Sequence, residues 1–180
     1  TLHMDYIQAV PHKVSPPFKA MFFQIESEEI RKASASMPYR IFVNKEGKRF
    51  VDEGKRRDVV KFAGCSQPLF TPLKTVEATS IEDLEDKLGL PQGSLVETIN
   101  RYNSACKTGK DKEFGKDKSM LVPLKTGPFT AVSKAIVRHH TMGGLLIKGS
   151  TGQVMDRWGK IIPGFFAAGE RQRARAELLD

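Results

Sequence analysis

The sequence predicts an α+β fold. Three observations carry that expectation: a turn-centred hairpin at residues 39–52, a pair of capped helices between residues 80 and 107, and further strand-length apolar runs at residues 4–10, 129–139 and 161–169. Their apolar spacing fits a small core of mixed helix and sheet.

The elements follow in chain order. Met4 to Val10 reads as a strand that Pro11 ends, and residues 11–19, with three prolines, read as a loop. Phe18 to Ile25 is apolar and reads as a strand or the start of a buried helix, and the charged stretch 26–36 reads as helix. Tyr39 to Asn44 is a strand, Lys45 to Gly47 a turn and Lys48 to Asp52 the return strand, with Gly47 free to take positive φ. Ser80 is suited to cap a helix over residues 81–88, with Glu82 and Asp83 in its first turn and Gly89 just past its end. Leu95, Val96, Ile99 and Tyr102 recur at near-helical spacing and predict a second helix from Gly93 to Lys107. This pair carries little base-reading chemistry, which argues against a DNA reader. Residues 108–120 read as an exposed loop rich in Lys, Asp and Gly. Phe129 to His139 reads as extended, Leu145 to Ile147 as a short strand, and residues 152–161 as a second hairpin around Arg157-Trp158-Gly159. Ile161 to Gly169 reads as a buried strand. A strand buried on both faces needs partners on each side. With little sequence beyond that run to supply them, the chain is expected to be a piece of a larger protein.

Composition narrows the function classes. The 180 residues are 39% hydrophobic and 28% charged, as expected of a soluble globular chain. No apolar run approaches the roughly 20 residues of a membrane span, and the opening residues show no leader pattern. Cys65 and Cys106 stand outside any C-x-x-C pair, which argues against a metal site, a dithiol motif or c-type haem attachment. The net charge is +8, so nucleic-acid binding must be weighed. Acidic residues interleave most of the basic ones, and only Phe114 lies within the lysine-rich stretch, so base stacking finds little support. The charge reads instead as a solvated surface with a preference for anionic substrates.

Four stretches carry chemistry-bearing residues in order: Met4 to Pro11; Ile41 to Glu53 with Arg57-Asp58; Arg101-Tyr102-Asn103; and His139-His140-Thr141-Met142-Gly143-Gly144 with Ile162 to Glu170. Their order and spacing resemble the clamp (capping) domain and C-terminal part of fumarate reductase flavoproteins of the flavocytochrome c type, with urocanate reductase among their relatives. The resemblance spans nearly the whole chain and is most specific from Val137 to Glu170. It implies a connection from flavin domain to clamp in residues 1–35, a clamp in 36–136, and an incomplete return segment of the FAD-binding α/β domain in 137–180. It implies FAD as cofactor and a small dicarboxylate or other unsaturated carboxylate as substrate. Arg57, in the pattern F-V-D-E-x-x-x-R-D, matches the family's proton donor. His140 matches its substrate-binding histidine, with a catalytic part in stabilising developing charge, and Thr141 adds a hydroxyl. His139, Gly143, Gly144 and Glu170 match positions that touch the flavin. Read without the resemblance, Arg57 is a surface arginine paired with Asp58 or Glu53.

Departures from the family pattern are as specific as the matches. The chain contains no G-x-G-x-x-G, Val10 stands at the first-strand histidine with His12 two places on, and residues 171–180 carry no glycine-rich turn. The stretch Ala33 to Pro38, where the family carries acidic and basic neighbours of its proton donor, has neither Glu nor Arg. The expectation is therefore part of an FAD-dependent enoate reductase, inactive without the missing flavin domain. A different flavoenzyme with the same clamp, of ketosteroid dehydrogenase or amino-acid oxidase type, and a non-catalytic basic binding module are the alternatives. The sequence leaves both periplasm and cytoplasm open.

Overall fold

A computed structural model describes residues 7–33, 39–141, 144–168 and 172–174. The chain is α+β, as expected, and divides into two units, Val10–Val137 and a second made of Thr1–Ala9 with Arg138–Asp180.

The larger unit contains most of a sheet of five strands among the described residues, β1 (Ile7–Lys13), β2 (Phe22–Ser27), β3 (Ile41–Val43), β4 (Val76–Ala78) and β5 (Phe129–Thr141), the first residues of β1 and the last of β5 falling in the second unit. The spatial order is β1-β5-β2-β3, and β4 pairs with β5 as well. Strand β2 runs antiparallel to β5, from Phe22 opposite Lys134 to Ser27 opposite Phe129. All six β2 residues are buried, because both faces of the strand are covered. On one face Phe23, Ile25, Ile41, Val43, Phe129 and Ala131 pack with Leu84, Leu88, Leu95, Ile99 and Tyr102 of α3 (Ile81–Leu88) and α4 (Ser94–Thr108). On the other, Phe22 and Phe42 pack with Val51 and with Val60 of α2 (Arg57–Cys65). Burial of such side chains contributes about 1.5–3 kcal/mol each relative to exposure.

The helix pair forms as its caps predict. Ser80 Oγ accepts from Asp83 N at 3.1 Å, and Gly89 takes φ 64° past the end of α3. The start of α4 has no cap of its own. The buried Glu85 carboxylate of α3 serves it instead, accepting from the backbone N–H groups of Gly93, Leu95 and Val96.

Several expectations are corrected. Strand β1 does not stop at Pro11 but runs to Lys13. It lies at the sheet edge, where a residue without an N–H is tolerated. The charged stretch after β2 is helical only over α1 (Glu28–Ala33). The return arm of the 39–52 hairpin makes a single bridge, Val43 to Arg49, rather than a strand. Its ladder is broken because Phe42 N donates to the Glu53 carboxylate at 3.0 Å. The 108–120 segment is not a free loop, since Asp111 and Lys116 are both buried in it.

The second unit holds a four-stranded sheet ordered β8-β7-β6-β9 among the described residues. Its strands are β6 (Leu145–Ile147), β7 (Gln153–Met155), β8 (Ile161–Phe166) and β9 (Gln172–Ala174). The expected strand at 161–169 exists, but its side chains are not buried: Phe165 and Phe166 are 47% and 59% exposed. Strand β8 is an edge strand paired on one side only, to β7, so its apolar composition is not matched by apolar cover among the described residues. No described helix is long and apolar enough to cross a membrane.

Candidate functional site

The hairpin that delivers Arg57 is built by local chemistry. Asn44 Oδ1 accepts from Glu46 N at 3.0 Å and Lys48 N at 3.1 Å, closing the turn. Gly47 takes φ +74° there, and a Cβ at that position would overlap the Ser94 hydroxyl and stand 3.0 Å from Leu95 N. The turn is therefore seated directly on the start of α4. After the return arm, Asp52 makes a tight bend: its Oδ1 accepts from Gly54 N at 2.8 Å and its carbonyl from Lys55 N at 3.1 Å. The next residues open α2.

Arg57 is the first residue of α2 and is exposed. Arg56 before it pairs with Asp58 at 3.1 Å, and Glu53 is engaged elsewhere, so neither carboxylate pairs with Arg57. Among the described residues Arg57 has no ion-pair partner. Lys55, Arg56 and Arg57 thus bring three cations to the positive end of a helix dipole, a placement that costs about 0.3–1 kcal/mol per charge instead of stabilising the helix. Downstream, α2 is docked by Val60 in the Phe22–Phe42 cluster and by Gly64, where a Cβ would come 3.0 Å from Ile136 and 3.1 Å from Phe22.

Beneath this stretch lies a buried charge network that sequence reasoning missed. Glu53 Oε1 accepts from Phe42 N and from Arg49 Nε at 3.1 Å, and Oε2 accepts from Arg49 Nη2 and Lys116 Nζ, both at 3.0 Å. Arg49 also donates from Nη1 and Nη2 to Asp111 Oδ2 at 3.2 Å. Its guanidinium lies 5.0 Å from the ring centres of both Tyr102 and Phe114. Lys116 Nζ reaches the Arg40 carbonyl as well, at 2.9 Å. The side chains of Glu53 and Lys116 are fully buried. Burial opposes charge on Arg49, but Glu53 and Asp111 override it and hold the guanidinium more firmly protonated than usual. Burial pulls Lys116 below the ordinary lysine value, with Glu53 opposing. Burial also pushes the Tyr102 hydroxyl up. The i, i+4 spacing of Arg49 and Glu53 was the one signal in the sequence; Asp111 and Lys116, some 60 residues on, gave none.

A second, partly buried pair joins Arg40, the residue before β3, to Glu26 of the adjacent strand β2. Lys134 nearby is lowered by burial and by the Arg40 charge, with Glu26 opposing.

The remaining candidate residues belong to the second unit. His139, His140 and Thr141 form the end of β5, with only their backbone described. Gly144 is buried immediately before β6, while Gly143 and Glu170 lie outside the described residues. Gly144 carries no side chain, as close approach of a flat ring to backbone requires. Glycines let backbone approach a flat ring closely, and a carboxylate accepts hydrogen bonds from vicinal hydroxyls, so these residue types are chemically suited to a flavin. No group of three or more His, Cys, Asp or Glu able to hold a metal ion occurs among the described residues.

The sequence profile of a family described as FAD binding domain matches residues 1–174. An NADH:acrylate oxidoreductase of Vibrio harveyi is 34% identical over 155 residues, covering 72% of this chain and 15% of its own length. A urocanate reductase of Eggerthella lenta is 33% identical over 159 residues, covering 73% of this chain and 26% of its own length. Among solved structures, the open conformation of a flavocytochrome c3 fumarate reductase superposes with a TM-score of 0.65 at 29% identity, covering 94% of this chain and 32% of that one. The chain thus spans less than a third of the length of any of these three proteins.

Proposed function

Because the chain belongs to the FAD binding domain family, we propose that it is part of an FAD-dependent reductase of α,β-unsaturated carboxylates, with Arg57 as proton donor. The single observation that carries this reading is the setting of Arg57. It is exposed and has no ion-pair partner among the described residues, at a helix start where a cation costs stability, yet it rides on a turn anchored from below. An arginine kept there for stability alone would be placed against a carboxylate, as Arg56 is against Asp58.

When bound and reduced by an electron donor, the flavin would supply the hydride that one alkene carbon takes up. Arg57 delivers a proton from its guanidinium to the other, completing the saturated acid. His140 and Thr141 bind a substrate carboxylate through imidazole and hydroxyl, and His140 also stabilises charge that develops as the alkene is polarised. His139, Gly143, Gly144 and Glu170 would hold the cofactor, the first three at the ring edge and Glu170 at the hydroxyls. Residues 36–136, within the Val10–Val137 unit, act as the clamp. The remaining contacts to FAD come from outside these residues, since the chain has no G-x-G-x-x-G to cradle a pyrophosphate. Fumarate, urocanate and acrylate are the substrate candidates, following the names of the similar reductases.

A free guanidinium holds its proton to above pH 12 or so, so Arg57 gives it up only to a more strongly basic centre, the carbon left electron-rich by hydride addition, and regains a proton afterwards. The stretch 34–38 lies outside the described residues, and the nearby Arg31 pairs with Glu28 and Glu77 at 4.0 and 3.8 Å. The test is turnover of fumarate by the flavin-loaded protein with a reduced dye as electron source. Arg57→Ala is expected to lower kcat at least about 100-fold. Unchanged turnover would remove Arg57 from the chemistry. A colourless purified 180-residue chain is the expected spectrum, and flavin bands from that chain would overturn the claim that the cofactor needs further contacts.

A further inference from the structure

We propose that Glu53 is the positioning residue for Arg57, holding the start of α2 through the buried network with Arg49, Lys116 and Asp111. The proposal rests on the reading of Arg57 as proton donor. Two features of the geometry and one of the energetics lead to it.

The first is the short tether. Only Gly54, Lys55 and Arg56 separate Glu53 from Arg57, and the Asp52 bend takes up the first two. Arg56 at the helix start makes no side-chain cap, and Lys55 approaches Asp52 only at 3.9 Å. The nearest firm anchor upstream of Arg57 is therefore the fully buried Glu53 carboxylate, with its bonds from Phe42 N, Arg49 and Lys116.

The second is the backing of that tether. A Cβ on Gly54 would stand 3.2 Å from Asp52 Oδ1 and 3.7 Å from Met120 Cε, so the bend is packed against the 3-10 turn Lys118–Met120. The same segment contributes Lys116 and Asp111, which tie it back to Arg49. The 111–120 stretch therefore meets the tether at two points, Glu53 through Lys116 and Gly54 through Met120.

The third is energetic. Buried ion networks are commonly no more stabilising than apolar side chains of the same shape, and their attested use is to select one arrangement over others. A network of four charged side chains directly under the tether of an exposed arginine has that form. Placement matters at the reacting centre, where an error of about 1 Å can cost 100-fold in rate.

Two measurements on Glu53→Gln test this. In the 180-residue chain without flavin, amide hydrogen exchange is expected to quicken at least about tenfold at Gly54–Val59 while α3 and α4 keep their protection. Unchanged exchange at Gly54–Val59, or a loss spread evenly over the Val10–Val137 unit, would overturn the proposal in favour of general packing. In the flavin-loaded protein, Glu53→Gln is expected to lower kcat about 10- to 100-fold with KM unchanged. Adding it to Arg57→Ala is expected to cost nothing more. A further loss in the double variant would show that Glu53 acts otherwise than through Arg57. If Arg57→Ala itself leaves turnover intact, the proton-donor reading fails while the exchange result still decides whether Glu53 holds the tether. Should Glu53→Gln not fold, Lys116→Met, which keeps the Arg49–Glu53 pair, is expected to give the same local pattern at smaller amplitude. Exchange unaltered in that variant would equally overturn the proposal.

Discussion

Gly47→Ala probes the seating of the hairpin that leads to Arg57, and Gly89→Ala is its matched control. Both glycines have positive φ, +74° and +64°, so both substitutions force an L residue into the left-handed region. That strain costs about 1–2 kcal/mol, offset by about 0.4–1 kcal/mol from the reduced entropy of the unfolded chain. The two sites differ in what a Cβ would meet. At Gly89 nothing lies within 4 Å; at Gly47 the methyl would overlap the Ser94 hydroxyl and stand 3.0 Å from Ser94 Cβ and Leu95 N. Leu95 is fully buried, so the helix start cannot yield without disturbing the core. Overpacking of this kind costs a further 1–3 kcal/mol or so. Gly89→Ala should therefore lose about 1 kcal/mol and Gly47→Ala about 3 kcal/mol. For a unit of this size the difference corresponds to a Tm gap of about 6 °C. Urea unfolding followed by far-ultraviolet circular dichroism measures both. Equal losses would refute the claim that the turn is pressed onto α4.

Two further stability predictions follow from buried carboxylates. Glu85→Ala leaves the N–H groups of Gly93, Leu95 and Val96 without their acceptor and should cost about 2–3 kcal/mol in urea unfolding; a loss under about 0.5 kcal/mol would contradict the cross-helix cap. Asp111 is the acid-sensitive member of the charge network. Burial alone would raise its carboxyl, but the charge and hydrogen bonds of Arg49 outweigh burial and hold it below the ordinary value of 3.8. A depressed folded-state value means that its contribution is complete above pH 3.8 and lost as pH falls through the folded value. Urea midpoints of the native chain should therefore drop on acidification below that point. Asp111→Asn should be less stable at pH 7 and should lose less on the same acidification; parallel profiles would refute the assignment.

The parts of the fold that were legible in the sequence are those fixed by neighbours a few residues apart. The helix at Ile81–Leu88 was readable because Ser80 and Gly89 mark its ends chemically. The turn at Lys45–Gly47 was readable for the same reason. What escaped depends on distant partners. Strand β1 outlasts Pro11 only because it lies at an edge, which the order of strands decides. The return arm after Gly47 loses its ladder because a side chain four residues past Arg49 takes the Phe42 N–H. Helix α2 escaped because its apolar face is narrow, with Val60 and Gly64 its buried residues. Strand β8 looked like a buried strand by composition, but composition cannot say whether a covering layer is present. At the candidate site, Arg57 was picked out by its motif, whereas the network below it joins residues as far apart as Arg49 and Asp111.

The central claim is that Arg57 serves chemistry at the expense of its own helix. Rapid mixing of the reduced, flavin-loaded protein with fumarate, for native protein and Arg57→Ala, tests it most directly when paired with urea unfolding of the same two proteins. Removing an unpaired cation from the start of α2 should leave stability unchanged or raise it by up to about 1 kcal/mol, while the rate of substrate reduction falls at least about 100-fold. An Arg57→Ala protein that reduces fumarate at the native rate, or one that loses rate only because it unfolds, would contradict the account.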